Sequence, residues 1–219
     1  MAIRKDPLVS GQYYHIINRS IAGYKIYNNA RDNQRFINAL KYYRSPIPML
    51  KISRFLELSD AHQKQIIDSQ TDLVIEITAY CIMPTHFHLL IKQNIDNGIT
   101  KYINNIEISY TRYFNLKYKR KGPLWESKFK NIRVETDEQL LHLTRYIHLN
   151  PTSARLVDNP EDWKWSSYHE YIKGEENICL YKDIINITPM AYKEFVNNRK
   201  DYQRELSKIK AKLLDDYTG

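Results

Sequence analysis

Residues 72–93 contain two apolar runs separated by one short break, and this arrangement constrains the fold more than any other feature. The run "DLVIEITAYCIM" (72–83) is rich in β-branched residues, and "HFHLLIKQ" (86–93) follows directly after Pro84 and Thr85. Two strands joined this tightly can pair only antiparallel, because parallel strands need a long crossover connection. The chain is therefore predicted to have an α+β fold, an antiparallel central sheet with helices packed on it, rather than a doubly wound parallel sheet.

Strand-like and helix-like segments alternate along the rest of the chain. The predicted elements are, in chain order, a strand at 11–19, helices at 30–44 and 54–68, the hairpin, a long helix at 100–118, a short extended piece at 129–135 and a helix at Asp137–Leu149. We expect Asp137 to cap the last helix and Pro151 to end it. Residues 189–216 have the charged amphipathic pattern of one or two further helices. The domain prediction is one domain at 1–172 followed by a mainly helical C-terminal extension at 173–219.

The charge of the chain is unevenly distributed. Lysine and arginine number 33 against 25 aspartate and glutamate, a net charge of +8 that favours a polyanionic partner. Residues 101–133 hold nine basic and two acidic residues, a local net charge of +7, interleaved with Tyr102, Tyr110, Tyr113 and Tyr118. Basic and aromatic side chains together are typical of single-stranded nucleic acid binding. The alternative is a solvated helix with core tyrosines, which we favour for Tyr110 and Tyr113 taken singly.

Several classes of function are disfavoured. The chain has six glycines and lacks the GxGxxG and GxxxxGK patterns, which argues against nucleotide-dependent chemistry of those types. Cys81 and Cys179 are too few and too far apart for a zinc framework or a disulfide scaffold, so we expect a reducing compartment. The N-terminal segment lacks a secretory signal and no later segment approaches a membrane span, so the expectation is a soluble cytoplasmic protein with no membrane partner.

His86 and His88 stand two residues apart in the second strand of the hairpin, so their side chains project from the same face. The two rings can converge on one metal ion, while Phe87 and Leu89 point into the core. A third ligand has to come from elsewhere, preferably oxygen if the ion handles phosphate. The alternative is a structural histidine beside one that occurs by coincidence, and a bare HxH pattern favours this alternative.

The helix in "LHLTRYIHLNPTSARLV" supplies candidates for the rest of such a site. Tyr146 and Asn150 are four residues apart and lie on one helical face, which His142 shares, whereas His148 lies away from it, behind the site or at the surface. An asparagine carbonyl is a hard neutral ligand, and a tyrosine hydroxyl is a usable nucleophile. Asparagine before proline is also a common helix terminator, and a helical tyrosine is usually a core residue. Spacing alone does not favour catalysis.

Five motifs connect these residues to a known family. They are "YYHIINRS", "MPTHFHLLIK", "YTRYFNLKYKRKGPLWESKFK", "YIHLNPTSARLV" and "WKWSSYHEY", and together they resemble the REP-associated tyrosine transposases. These belong to the single-tyrosine HUH nucleases and are related to small insertion-sequence transposases that act on single-stranded DNA. The resemblance runs from about residue 11 to 171, and the motifs occur in the family's order. It implies a ferredoxin-like or RRM-like HUH nuclease fold for residues 1–172.

The resemblance also implies a mechanism. It assigns His86 and His88 to the HUH motif, Tyr146 to the nucleophile and Asn150 to the third metal ligand. Mg²⁺ or Mn²⁺ would polarise the scissile phosphate of single-stranded DNA, and Tyr146 would attack it to give a 5′-phosphotyrosine and a free 3′-hydroxyl. Because this intermediate retains the phosphodiester energy, rejoining needs no ATP, in agreement with the missing nucleotide loop. His142 is the candidate for a supporting residue behind the ligands or for a general base.

The implied partner is single-stranded DNA with a hairpin, at a repeat or a transposon end. The predicted DNA-binding residues are Arg112, Lys117, Lys119, Arg120, Lys121, Trp125, Lys128 and Lys130, with Trp125 as a stacking platform or, alternatively, a core residue. Two departures from the family pattern occur. Thr85 replaces a frequent Asn, and "WESKF" replaces a more usual Gly-Arg-Phe ending within the segment predicted to contact DNA. DNA binding would place the cytoplasmic protein at the nucleoid.

Two other functions stay open. One is a domesticated, non-catalytic DNA-binding protein on the same fold, although all key positions are present. The other is an HUH initiator of plasmid or phage replication, although the motif order and the "LNP" helix favour a transposase. Related insertion-sequence enzymes work as homodimers that exchange the tyrosine helix, and no residue pattern in this chain decides between monomer and homodimer.

Overall fold

A four-stranded antiparallel sheet forms the centre of the protein. The computed structural model describes residues 7–45 and 50–198. The strands are β1 (Tyr13–Arg19), β2 (Ile75–Met83), β3 (His86–Gln93) and β4 (Lys130–Val134), in the spatial order β2-β3-β1-β4. The helices are α1 (Ala30–Tyr42), α2 (Ile52–Phe55), α3 (Asp60–Asp68), α4 (Gly98–Lys117), α5 (Asp137–Ser153), α6 (Tyr168–Lys173) and α7 (Pro189–Asn197). The predicted α+β class and the tight β2–β3 hairpin are confirmed.

The two faces of the sheet differ in composition. Strand register places His15 opposite Leu90, Ile17 opposite His88 and Arg19 opposite His86. One face of β1 and β3 therefore carries His15, His86 and His88, and we call it the histidine face. The opposite face, which we call the apolar face, carries fully buried side chains at Tyr14, Ile16, Phe87 and Leu89. Alternation along each strand separates the two sets because successive side chains point to opposite sides.

Different helices cover the two faces. On the apolar face, the Phe36 ring of α1 lies 5.2 Å from the Phe87 ring, and α4 packs alongside α1 with Tyr102 and Tyr110 fully buried. On the histidine face, α5 packs chiefly against β2 and brings Tyr146 over β1 and β3. The residues that form the candidate site therefore lie between the sheet and a single helix of the same chain.

Strand β2 is buried at almost every position, which explains its continuous apolar run. Both of its faces are covered by helices, and its outer edge is paired as well. The Ile82 N–H donates to the Trp165 carbonyl at 2.8 Å, and the Ser167 N–H donates to the Tyr80 carbonyl at 3.0 Å. Pairing with this later segment protects the strand edge from solvent and from other chains.

Helix α5 differs from the prediction at both ends. Its N-cap is Thr136 rather than Asp137, and the Thr136 hydroxyl accepts a hydrogen bond from the Gln139 N–H at 3.1 Å. The helix also continues through Pro151 to Ser153. Proline lacks the N–H that would reach the Ile147 carbonyl. The Asn150 Nδ2 group donates to that carbonyl at 3.4 Å instead, so the helix is not broken.

The single helix predicted at 54–68 is wrong, because α2 and α3 are separate. Ser59 begins α3 by accepting a hydrogen bond from the His62 N–H.

In the C-terminal extension, Tyr192 and Val196 of α7 are fully buried, and α7 packs on α5 and α6. The rest of the helical prediction at 189–216, from residue 199 onward, lies outside the described residues, and the domain boundary at 172 stays a prediction. No helix within residues 7–45 and 50–198 has the length and apolar character that crossing a membrane requires.

Candidate active site

Three histidines and a tyrosine meet on the histidine face. The ring centroids of His86 and His88 are 5.0 Å apart, and the two rings are nearly perpendicular. The Tyr146 ring lies edge-on, 5.8 Å from the His88 ring and 5.9 Å from the His15 ring. The structure thus brings the predicted nucleophile to the predicted HUH strand, and it does so within one chain.

His15 is the site residue that the sequence interpretation missed. Its Nε2 atom lies 3.0 Å from the Nδ1 atom of His88, and the two rings stack with centroids 5.2 Å apart. His15 belongs to the "YYHIINRS" motif, which contributes to the family resemblance as a whole and does not mark the histidine as a site residue. Its place beside His88 depends on how β1 pairs with β3. That register is a tertiary property that local sequence spacing does not show.

Burial keeps the two HUH histidines neutral. It lowers the pKa of His86 to about 4, and the nearby positive charge of Arg19 adds to the effect. Burial also lowers the pKa of His88 well below its usual value, with further contributions from His86, His15 and Arg19. Neutral imidazole is the protonation state that a metal ligand needs.

Hydrogen-bond partners select the nitrogen atom that each ring presents. The Thr85 hydroxyl lies 3.0 Å from His86 Nδ1, and His15 lies at the same distance from His88 Nδ1. Because both contacts engage Nδ1, the Nε2 atoms are the ones through which the two rings could share an ion. Thr85, which departs from the family pattern, therefore has a defined contact with the first histidine.

The side-chain amide of Asn150 donates hydrogen bonds to backbone carbonyls of its own helix, α5. Its Nδ2 group donates to the Tyr146 carbonyl at 2.9 Å, so a metal ion would have to be bound through Oδ1. Within residues 7–45 and 50–198, no three His, Cys, Asp or Glu side chains cluster closely enough to hold a metal ion. The convergence of Asn150 with His86 and His88 on a metal ion stays a prediction.

Tyr146 is a half-buried phenol. Burial raises its pKa above the usual value, and Cys81 adds to this effect. The hydroxyl is therefore protonated at neutral pH, and it has to lose its proton before or during any attack on phosphorus.

The other two histidines of α5 have different surroundings. His142 is exposed, with Nδ1 at 2.6 Å from the Arg145 guanidinium and its ring 5.6 Å from the Phe195 ring of α7. Its role behind the ligands or as a base stays a prediction. His148 is fully buried and hydrogen-bonds to Ser167 and Tyr192, both at 2.7 Å. The surface location proposed for His148 is wrong, because its ring fills the junction of α5, α6 and α7.

The predicted DNA-binding residues fall into two groups. The exposed ones are Arg112, Lys119, Lys121, Lys128 and Lys130. Two others have structural contacts: Lys117 pairs with the fully buried Asp32 at 2.6 Å, and Arg120 donates to the backbone of its own turn at Gly122 and Pro123. Lys117 thereby joins α4 to α1. The DNA contacts of all seven basic residues stay predictions, and the exposed group is the one available to a phosphate backbone.

Trp125 packs on the core rather than standing apart from it. Its indole N–H donates to the Glu107 carbonyl at 3.2 Å, and its ring lies edge-on, 5.6 Å from Phe87. These contacts favour the core alternative, and base stacking by Trp125 stays a prediction.

Known proteins resemble this chain over the region that contains the candidate site. A family model described as IS200-like transposase matches residues 8–150, which include every residue of the histidine face and Asn150. A candidate REP-associated tyrosine transposase of Haemophilus influenzae is 32% identical over 112 residues, covering 46% of this chain and 62% of that relative. A REP-associated tyrosine transposase of Escherichia coli K12 is 24% identical over 106 residues, covering 48% and 61%. The chain thus spans about three fifths of the length of these curated relatives.

A solved structure agrees with the fold. A REP-associated tyrosine transposase bound to a REP hairpin superposes with a TM-score of 0.58 over 86% of this chain and 96% of that one. At 15% identity this likeness shows the fold alone. The resemblance predicted from the five motifs is confirmed by the family match, and the chain belongs to the family of IS200-like transposases.

Proposed function

We propose that this chain is a transposase that cleaves and rejoins single-stranded DNA, with Tyr146 as the nucleophile. The observation that carries the proposal is the position of the Tyr146 ring beside His88 and His15 of the same chain. Membership of the IS200-like family supports the class of reaction, and the relatives in Haemophilus influenzae and Escherichia coli carry the name tyrosine transposase.

The residues of the site fit a hard divalent cation, Mg²⁺ or Mn²⁺. His86 and His88 are neutral, their Nδ1 atoms contact Thr85 and His15, and the Asn150 Nδ2 group donates within its own helix. These three residues would hold the ion through two Nε2 atoms and Oδ1. When bound, the ion supplies Lewis-acid polarisation of the scissile phosphate.

Tyr146 performs the covalent step. Its Oη forms a bond to phosphorus while the bond from phosphorus to the 3′ oxygen breaks. The phenol releases its proton and the departing 3′ oxygen takes one up, which leaves a 5′-phosphotyrosine and a 3′-hydroxyl. Attack by another 3′-hydroxyl reverses the step, joins the strands and restores the phenol. The number of phosphodiester bonds is conserved, so no nucleotide hydrolysis is needed.

The proposed substrate is a single strand that contains a short hairpin. The solved relative with the same fold is described as bound to a REP hairpin. In this chain, the exposed residues Lys119, Lys121 and Lys128 lie in or beside the loop that follows α4, where they can neutralise backbone phosphates. A polyanionic backbone crossing this loop also accounts for the local excess of positive charge.

The test is formation of a covalent adduct. The protein is incubated with an end-labelled, hairpin-bearing single strand and Mn²⁺, and the products are separated under denaturing conditions. We expect an adduct from the wild-type protein and none from Tyr146→Phe, which removes one oxygen and keeps the ring. Tyr43→Phe, a change at a partly buried tyrosine of the α1 end, is the matched control and should form the adduct normally.

The rival functions predict other results. A non-catalytic DNA-binding protein would bind the hairpin and form no adduct. A replication initiator would form the adduct on origin-type single strands in preference to repeat hairpins. An adduct that persists in Tyr146→Phe would exclude the proposed nucleophile.

A further inference from the structure

Arg19 lies at the border of the candidate site. It is the last residue of β1, and it pairs directly with His86 of β3. Residues directly opposite each other in an antiparallel pair project from the same face, with Cβ atoms about 4.5–5.5 Å apart. The Arg19 side chain therefore starts on the histidine face, next to the first histidine of the HUH motif. Its positive charge is also close enough to help lower the pKa of His86, after burial, and that of His88, after burial and the neighbouring His86 and His15.

The guanidinium of Arg19 is accessible and weakly held. The side chain is 54% exposed, and its Nε atom lies 3.9 Å from the carboxylate of Glu126, at the outer limit of an ion pair. Glu126 is brought there by its backbone, because its N–H donates to the Arg19 carbonyl at 3.0 Å. An exposed pair at this distance contributes little to stability. A stronger anion could therefore replace Glu126 without disturbing the fold.

The chemistry of arginine suits a phosphate at this position. Its planar guanidinium offers N–H donors in a fork that matches two phosphate oxygens, and it stays charged at every physiological pH. A fixed cation beside a phosphoryl group stabilises the charge that develops when the nucleophile attacks. With Tyr146 over His88 and Arg19 opposite His86, a phosphate over the two histidines would have the phenol and the guanidinium within the same face of the sheet.

We propose that Arg19 is a further catalytic residue, which binds a non-bridging oxygen of the phosphate that Tyr146 attacks and displaces Glu126 when DNA binds. This inference rests on the proposed function and adds a substrate contact to it. Arg19 lies outside the loop predicted to bind DNA, so the two sets of cations have separate tasks. The lysines after α4 would bind the backbone around the hairpin, and Arg19 would bind the reacting group.

The test uses DNA binding without metal, so that it does not depend on catalysis. The cleaved linkage is first mapped from the wild-type adduct. Two hairpin strands are then compared, one unmodified and one with a neutral methylphosphonate at that linkage. Binding to Tyr146→Phe is measured in EDTA with and without the additional change Arg19→Ala. We expect Arg19→Ala to weaken binding of the unmodified strand about tenfold and to leave binding of the methylphosphonate strand unchanged.

Two further variants of the Arg19–Glu126 pair distinguish phosphate binding from a structural role, because phosphate binding predicts an increase in DNA affinity for one of them. Glu126→Gln should tighten binding of the unmodified strand, because the competing carboxylate is gone. Arg19→Lys should recover part of the affinity, since it keeps the charge and loses the fork. In the cleavage assay with Tyr146 intact, Arg19→Ala should lower the single-turnover rate at saturating DNA, with unchanged thermal unfolding.

The matched control is the exposed pair of Arg54 and Glu57, 2.9 Å apart in the region of α2. Arg54→Ala and Glu57→Gln make the same changes in charge as the Arg19 and Glu126 variants. They should change the binding of both DNA strands slightly and to the same extent. Equal binding by Arg19→Ala and its parent would overturn the proposal, as would a loss of equal size on both strands. Failure of the wild-type protein to form any adduct would instead contradict the proposed function, so the two failures are distinguishable.

Discussion

The two faces of the central sheet bury side chains of opposite chemistry. The apolar face packs Phe87, Phe36 and Tyr110 into a close aromatic group beneath α1 and α4. The histidine face places His15, His86 and His88 beneath α5, with Tyr146 edge-on to two of them. The same strands supply both sets, because alternate residues point to opposite sides. One face therefore stabilises the sheet while the other can hold reactive groups at fixed positions.

One substitution on each face tests this division: removal of a whole ring from the apolar face and removal of a single hydroxyl from the histidine face. Phe87 is fully buried among Phe36 and Trp125, so Phe87→Ala should lower the free energy of unfolding by about 3–5 kcal/mol through lost contacts and a cavity. Tyr146→Phe on the other face should change stability by less than about 1 kcal/mol while removing the covalent adduct. Unfolding by denaturant measures the free energy of unfolding of both variants. Similar losses of stability from the two variants would contradict the division between the faces.

The two faces should also respond to pH in opposite directions. On the histidine face, burial lowers the pKa of His86 to about 4 and that of His88 well below its usual value. Unfolded histidines bind protons below about pH 6.5, whereas these folded ones do not. Their contribution to stability is therefore complete above pH 6.5 and is lost as the pH falls, by about 1 kcal/mol for each group at pH 5.5.

Glu107 of α4 supplies the contrast on the apolar face. Burial raises its pKa to about 7, although the Asn18 amide donates to it at 2.7 Å. Its protonated form is favoured in the folded state, so ionisation destabilises the fold as the pH rises from about 4.5 to 7. Thermal unfolding across pH 4.5–7.5 measures the balance. Glu107→Gln should steepen the rise of stability with pH, and an unchanged profile would refute the assignment to Glu107.

His15 gives a smaller and more specific prediction. Its contact with His88 fixes the ring that would bind metal, and residues that orient metal ligands typically contribute about 10–100-fold to affinity. We expect His15→Ala to weaken Mn²⁺ binding about tenfold, and His15→Asn to recover part of the loss by restoring a polar partner. Calorimetric titration measures the Mn²⁺ affinity. The matched control is His62→Ala, a change at an exposed histidine of α3. An unchanged affinity in His15→Ala would show that His88 needs no such support.

Much of the fold follows from local sequence, and the site follows only in part. The β2–β3 hairpin was predictable because only Pro84 and Thr85 separate its two apolar runs, and a connection of two residues allows only a tight turn. His86 and His88 were predictable because they share one strand. His15 and Arg19 were not, because their positions beside those histidines depend on the pairing of β1 with β3, which lies some 70 residues away along the chain.

The errors have local physical causes. Pro151 was expected to end α5, but the Asn150 side chain replaces the missing backbone donor and the helix continues to Ser153. The sequence predicts a position behind the site or at the surface for His148, because this residue lies off the helical face of Tyr146. Helix α7 covers that side of α5 and buries it. Sequence periodicity shows which face of a helix is apolar, and it does not show which later element covers the opposite face.

The proposed mechanism requires that Tyr146 attacks DNA at the histidines of its own sheet. Its most direct test is to digest the wild-type DNA adduct with protease and nuclease and to identify the modified residue by mass spectrometry. The chain contains 18 tyrosines, so the result is discriminating. We predict a nucleotide 5′-phosphate on the peptide that contains Tyr146 and on no other. Modification of a different tyrosine would exclude Tyr146 as the nucleophile.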